Sequence, residues 1–162
     1  MVQELALRFI NILPLRLQNT ARQFMKFAVV GVIGAVVDFG SYNILTRGIG
    51  WTDTYEIFGY QIIAANLVSV FLAITSNFIL NRYWTFHATG GNAATQGAGY
   101  FALNGFTFIL NQIVTSFFTF HVPLIALIFG SQKDNIAKAL AIGIILFLNF
   151  FGSKFLIFGK KK

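Results

Sequence analysis

The chain has 162 residues, of which 56% are hydrophobic and only 10% charged, with a mean hydropathy of +0.70. A soluble domain carries about 25% charged residues, so this composition cannot build a water-facing surface, and lipid must solvate most of the molecule. The lack of cysteine excludes disulfides and thiolate metal sites. The net charge of +7 gathers beside apolar runs, as expected next to an anionic leaflet, and not on a face for nucleic acid.

Residues 1–23 form a separate amphipathic segment. Leu5, Phe9, Ile12 and Leu13 share one helical face with Arg8 near its edge, and Pro14 is expected to interrupt the helix. The segment reads either as an interfacial helix lying on the cytoplasmic leaflet or as a frayed tail. Its apolar residues are broken by Arg8, Pro14, Arg16 and Arg22, with no small-residue cleavage site after them, which argues against a signal peptide.

A transmembrane domain follows over residues 24–159, and then a basic tail, 160–162. Four apolar stretches approach the roughly 20 residues that span a bilayer: about 27–46, 60–80, 99–120 and 136–158. The expected fold is therefore an all-α membrane protein of four transmembrane helices. Gly48 and Gly50 punctuate the end of the first span, and the run ATGGNAATQGAG between the second and third reads as loop. His87 and His121 are expected in loops far apart, so no metal site is expected.

Orientation follows from Lys and Arg. Arg8, Arg16, Arg22 and Lys26 precede the first span, Arg82 ends the second, and Lys154 with Lys160, Lys161 and Lys162 ends the fourth. The other two loops set Arg47 against Asp53 and Glu56, and Lys133 against Asp134. An even number of spans brings both basic ends to one side, so the N and C termini are expected to be cytoplasmic.

The chain also repeats itself. NFILNRYWTF (77–86) matches NFFGSKFLIF (149–158) at an offset of 72, which puts Asn77 on Asn149, Arg82 on Lys154 and Phe86 on Phe158. An offset of 73 aligns the first and third spans, with Phe27 on Tyr100 and Asp38 on Asn111. Two duplicated helical hairpins are expected, a pattern common in transporter folds and also found in purely structural bundles.

An ionisable residue at the centre of a membrane helix costs at least ~2.5–3.5 kcal/mol on insertion scales. Asp38 lies 12 residues beyond Lys26, roughly 18 Å into the membrane at 1.5 Å per residue. Lys138, 16 residues before Lys154, lies roughly 24 Å from the cytoplasmic end of its own helix. Pairing would lower the cost of both. With Asn66 and Asn111 they would form a polar path inside the bundle, or else hydrogen bonds that merely hold helices together. A second layer, at headgroup depth, comprises Lys26, Arg82 and Lys154 with Asn77 and Asn149 beneath them. Such basic pockets bind anionic lipid headgroups, and Arg suits phosphate by its bidentate fork. Lys26 by itself reads as an ordinary flanking charge. Tyr83, Trp84, Phe86, Phe155 and Phe158 read as belt aromatics.

The runs KFAVVGVIGAVVDFGSYNIL (26–45), NFILNRYWTF (77–86) and AKALAIGIILFLNFFGSKFLIF (137–158), in this order, resemble the GtrA-like family over about residues 23–158. The twice-occurring NF ending of the even helices carries most of the resemblance. It implies a small membrane protein of the bacterial inner membrane linked to cell-surface polysaccharide synthesis. Members of the family are proposed to move a polyprenyl-phosphate-linked monosaccharide to the outer leaflet, often beside a membrane glycosyltransferase. Leu156 in place of Trp84, and Ser153 in place of Asn81, depart from strict symmetry.

The function expected is thus a flippase for a polyprenyl-phosphate sugar, with membrane lipid as its surroundings and a membrane glycosyltransferase as a candidate partner. The alternative is a non-transporting subunit that anchors such an enzyme. A third reading, a small cation exporter, is disfavoured by the basic cytoplasmic layer. No nucleophile–base pair, metal cluster, cofactor motif or nucleotide-binding loop occurs, so neither enzymatic activity nor direct ATP drive is expected. So short a chain leaves little room for a path in one copy, which is compatible with a homo-oligomer.

Overall fold

The computed structural model describes residues 14–57 and 60–159. Four of its helices are long and apolar enough to cross a membrane: Leu17–Gly48, Ala64–Thr85, Ala93–His121 and Pro123–Ile157. The chain is a multi-pass membrane protein. Its backbone divides into two units, residues 1–89 and 90–162, which are the two hairpins expected from the repeat.

The first helix, α1 (Leu15–Asn43), starts directly after Pro14, which stands as its N-cap. With φ held near −65° and no N–H to leave unpaired, proline is suited to a helix entry. The Pro14 carbonyl accepts from the backbone N–H of Leu17 at 2.8 Å. The helix therefore runs from 15 with no break at the expected boundary after residue 23, while the amphipathic face carrying Leu5, Phe9, Ile12 and Leu13 lies outside the described residues.

Between the first two spans the chain forms a short antiparallel pair, β1 (Thr54–Ile57) with β2 (Tyr60–Ile63), in which Thr54 faces Ile63 and Glu56 faces Gln61. The second span thus begins later than its apolar run. Residues 60–63 are paired as strand, rich in the aromatic and β-branched types that favour it, and α2 (Ala64–Leu80) starts where the Ala64 N–H donates to the Asp53 carbonyl at 2.9 Å.

In the second hairpin α3 (Ala93–His121) starts well before the expected residue 99. The cause is Asn92, whose side-chain oxygen accepts from the Thr95 N–H at 3.0 Å. An N-cap of this kind satisfies one of the orphan donors of the first turn, so more than half of the glycine-rich run is helix. His121 closes α3 and stacks on Phe117, so it is helical rather than a loop residue. The restriction that Pro123 places on Val122 ends α3 there. Then come α4 (Pro123–Phe129), a tight turn in which Gly130 takes φ +52°, and α5 (Lys133–Gly152).

Small residues let the helices of a hairpin approach, as expected where lipid offers no hydrophobic drive for association. On α2, Ala65, Ser69 and Ala73 recur every fourth residue and are buried. Their counterparts on α5, Ala137 and Ala141, are fully buried. The outer surfaces are the reverse: Val32, Val36 and Phe39 on α1, and Phe106, Phe108 and Ile109 on α3, are all exposed, which acyl chains tolerate and water does not.

Candidate functional site

The two even helices end alike. After Leu80 and after Gly152 the backbone widens into a π turn, Asn81–Thr85 and Ser153–Ile157, positions 72 apart. Such turns occur often at functional sites. The widened turn slows the angular advance along the helix, which keeps Asn77, Asn81 and Thr85 near one face. α1 ends in a third π turn, Ile44–Gly48.

Each of the two repeat-equivalent π turns is followed by an aromatic residue that pairs with the partner helix of its hairpin. Phe27 meets Phe86 with ring centroids 6.2 Å apart, and Tyr100 meets Phe158 at 6.0 Å. These four residues are repeat equivalents, so the duplication extends to side-chain packing. Phe158 is buried, so this expected belt aromatic serves the helix junction instead, as Phe86 does through its pairing with Phe27. Tyr83, Trp84 and Phe155 are exposed, where a belt residue belongs.

Farther along, the two helices of each hairpin meet in different ways. In the first, the carboxamide of Asn77 lies against the backbone of Gly34, in the space a β-carbon at that glycine would fill. In the second, the equivalent of Gly34 is Thr107, whose Oγ1 donates to Asn149 Oδ1 at 2.9 Å. Asn149 Oδ1 is thereby satisfied, whereas Asn77 Oδ1 is buried with no hydrogen-bond partner among the described residues.

The cations at the helix ends differ as well. Arg82 is only 5% exposed, its guanidinium carbon 5.6 Å from the Tyr83 ring centroid. Its repeat equivalent Lys154 is half-buried, with Nζ 5.8 Å from the Phe150 ring and 5.6 Å from the Phe155 ring. Lys26 donates to the Trp84 carbonyl at 3.2 Å and lies 5.3 Å from the Trp84 ring centroid. It is therefore tied to the turn that carries Arg82.

The residues expected to form an intramembrane polar path are placed unevenly. The Asp38 carboxylate accepts a hydrogen bond from Ser69 Oγ at 2.6 Å, which joins α1 to α2. Ser69 is fully buried and escaped the sequence reading because one hydroxyl in an apolar run carries no signal. Asn111 is half-buried, and its Oδ1 has no hydrogen-bond partner among the described residues. Asn66 and Lys138, expected in the same polar layer inside the bundle with Lys138 paired to Asp38, are instead exposed. Asn66 lies in the first turn of α2 and Lys138 in the second turn of α5.

Three further polar groups stand at the end of the first hairpin. Asn81 and Thr85 are each 1% exposed, and Thr85 Oγ1 has no hydrogen-bond partner among the described residues. Gln23, one turn before Phe27 on α1, has a buried Oε1 in the same condition. Gln23 aligns with Gln96 at the offset of 73, a signal that was present in the sequence.

The electrostatic character of this end is set by a desolvated guanidinium, a nearby ammonium group and several neutral hydrogen-bonding side chains. That set suits an anion joined to a hydroxyl-rich group, and it contains no nucleophile–base pair. In comparisons with known proteins, residues 26–158 match the family described as GtrA/DPMS, transmembrane domain. No solved structure matches the chain.

Proposed function

The chain belongs to the GtrA/DPMS transmembrane-domain family, and from that premise we propose that it carries a polyprenyl-phosphate-linked monosaccharide across the bacterial inner membrane. The membership supports a role in polysaccharide synthesis through polyprenyl-phosphate sugars; translocation is our reading of the site.

The observation that carries it is Arg82, held 5% exposed at the end of a membrane helix. A charge-assisted pair with phosphate is strong, and it strengthens as water is excluded. The planar fork of Arg matches two phosphate oxygens at once. Lys26, tied to the neighbouring Trp84, adds a second positive charge. Lys154 gives the other hairpin a cation at the equivalent place. The apolar outer surfaces of the helices leave the polyprenyl tail in lipid throughout, so only the phosphate and sugar need a polar route. The chain contributes carriage and no bond-making chemistry, and movement runs down the concentration gradient of the lipid.

In this reading both basic ends face the cytoplasm. The chain lacks cysteine, so single-cysteine variants report topology without background. Thr89→Cys is expected to react with a membrane-impermeant maleimide only from the cytoplasmic side, and Asp53→Cys only from the outside.

The decisive test is reconstitution into vesicles with a fluorescent short-chain polyprenyl-phosphate hexose, following its loss from one leaflet. Wild type accelerates exchange, and Arg82→Gln slows it at least tenfold. Should wild type match protein-free vesicles while a glycosyltransferase co-purifies with it, the chain is an anchoring subunit and the translocation reading fails.

A further inference from the structure

The duplication is not functionally even. At the end of the first hairpin, Asn77, Asn81 and Thr85 follow one another at four-residue steps along α2 and its π turn. Thr85, 1% exposed, keeps a hydroxyl with no hydrogen-bond partner among the described residues, as do the Asn77 and Gln23 carbonyl oxygens. Buried polar atoms are nearly always satisfied by protein, water or ligand. Two such atoms on one face of α2, about two turns apart, and a third on the adjoining α1 make a group of hydrogen-bonding positions rather than a single lapse.

The second hairpin breaks the same run. Asn149 is taken by Thr107, Asn81 is replaced by Ser153, and Thr85 by the apolar Ile157. Only Ser153 Oγ is left buried without a hydrogen-bond partner among the described residues on that run. The cationic position and the glutamine (Gln23, Gln96) are kept in both hairpins, while the open Asn77 oxygen and the Thr85 hydroxyl have no open counterpart in the second.

We infer that Asn77 and Thr85 on one face of the first hairpin, with Gln23 on α1 one turn from the Phe27–Phe86 staple, bind the hydroxyl groups of the sugar. This rests on the translocation reading above and deepens it. Carboxamides and a hydroxyl offer both donors and acceptors, which matches the hydroxyls of a neutral hexose. No acidic side chain lies on this face to call for an amino sugar. Arg82, next to Asn81 in the chain, holds the phosphate. Recognition of the sugar is thus assigned to the helix end rather than to Asp38, whose carboxylate is engaged by Ser69.

The test separates sugar from phosphate with two probes: a short-chain polyprenyl phosphate, and the same lipid carrying one neutral hexose. Binding to the full-length protein in detergent is followed by tryptophan fluorescence, with Trp84 adjoining the site. Wild type is expected to bind the glycosylated lipid more tightly than the bare one. Thr85→Val, almost isosteric, and Gln23→Leu should each reduce that preference roughly three- to tenfold, the worth of one neutral hydrogen bond left unmade. Affinity for the bare phosphate should stay within about twofold, because these side chains make no charge-assisted contact with it. Thr85→Ser keeps the hydroxyl and should keep the preference, and Ser153→Ala in the second hairpin should leave it unchanged.

An unaltered preference in Thr85→Val overturns the inference, as does an equal loss for both lipids. If wild type binds the bare phosphate with no preference for the hexose, only the sugar assignment falls. If wild type binds neither lipid, the translocation reading falls with it.

Discussion

A methyl group at Gly34 gives the most direct probe of how the first hairpin is held together. A β-carbon there would overlap the Asn77 carboxamide, so Asn77 must turn away or the helices must separate. Overpacking of this kind costs about 1–3 kcal/mol. Against it stands the gain of about 0.5–1 kcal/mol from replacing glycine by alanine within a helix. The balance for Gly34→Ala is destabilising by about 1 kcal/mol. Gly143→Ala, where a β-carbon meets nothing within 4 Å, should show only the gain. Removing the obstruction provides the internal check. In an Asn77→Ala background the new methyl has room, so Gly34→Ala becomes neutral or stabilising, with a coupling of about 1 kcal/mol or more between the two sites. Independent sites add to within about 0.3–0.5 kcal/mol, so a coupling of this size is measurable by denaturant unfolding in mixed micelles. Additive behaviour, or a Gly34→Ala protein as stable as Gly143→Ala, would refute the packing argument.

Three further outcomes follow from individual contacts. Ser69→Ala removes the donor to Asp38 and should cost about 1.5–3 kcal/mol, as for a hydrogen bond to a charged group; the double variant Ser69→Ala with Asp38→Asn should recover part of this in the same unfolding assay. Thr107→Val leaves Asn149 Oδ1 without its hydroxyl and should destabilise by about 1–3 kcal/mol, whereas Thr107→Ser should be nearly silent. Asn92→Ala removes the cap of α3 and should cost about 1 kcal/mol, seen as faster amide hydrogen exchange over residues 93–97 and nowhere else.

The four spans and the duplicated hairpins were legible in the sequence because their causes are local and periodic. Long apolar runs have one physical outcome in a membrane, where every backbone group must be satisfied within the segment. The repeat was visible because equal packing demands similar residues: Phe27 and Tyr100, then Phe86 and Phe158, occupy matching aromatic pairs. The strand pair at 54–63 and the early start of α3 were not legible. Each is bordered by one hydrogen bond, from Ala64 to the Asp53 carbonyl and from Thr95 to Asn92, set inside runs whose composition also suits the other state.

Matters were otherwise for the site. Arg82, Lys154, Lys26, Asn77 and Asn149 could be named in advance, since charge and amide groups in an apolar chain are few. Burial was not available at that stage, because the side a helical residue faces depends on which helix packs against it. Only the tertiary structure set Arg82 at 5% exposure with Lys154 half-buried, and left Asn66 and Lys138 exposed. It also engaged Asp38 with Ser69 and filled the space over Gly34 with Asn77. Composition and periodicity determine that a helix crosses the membrane and how its length is matched to lipid. Which polar atoms are satisfied, and which are left without a hydrogen-bond partner among the described residues, is decided by side chains brought together from different helices.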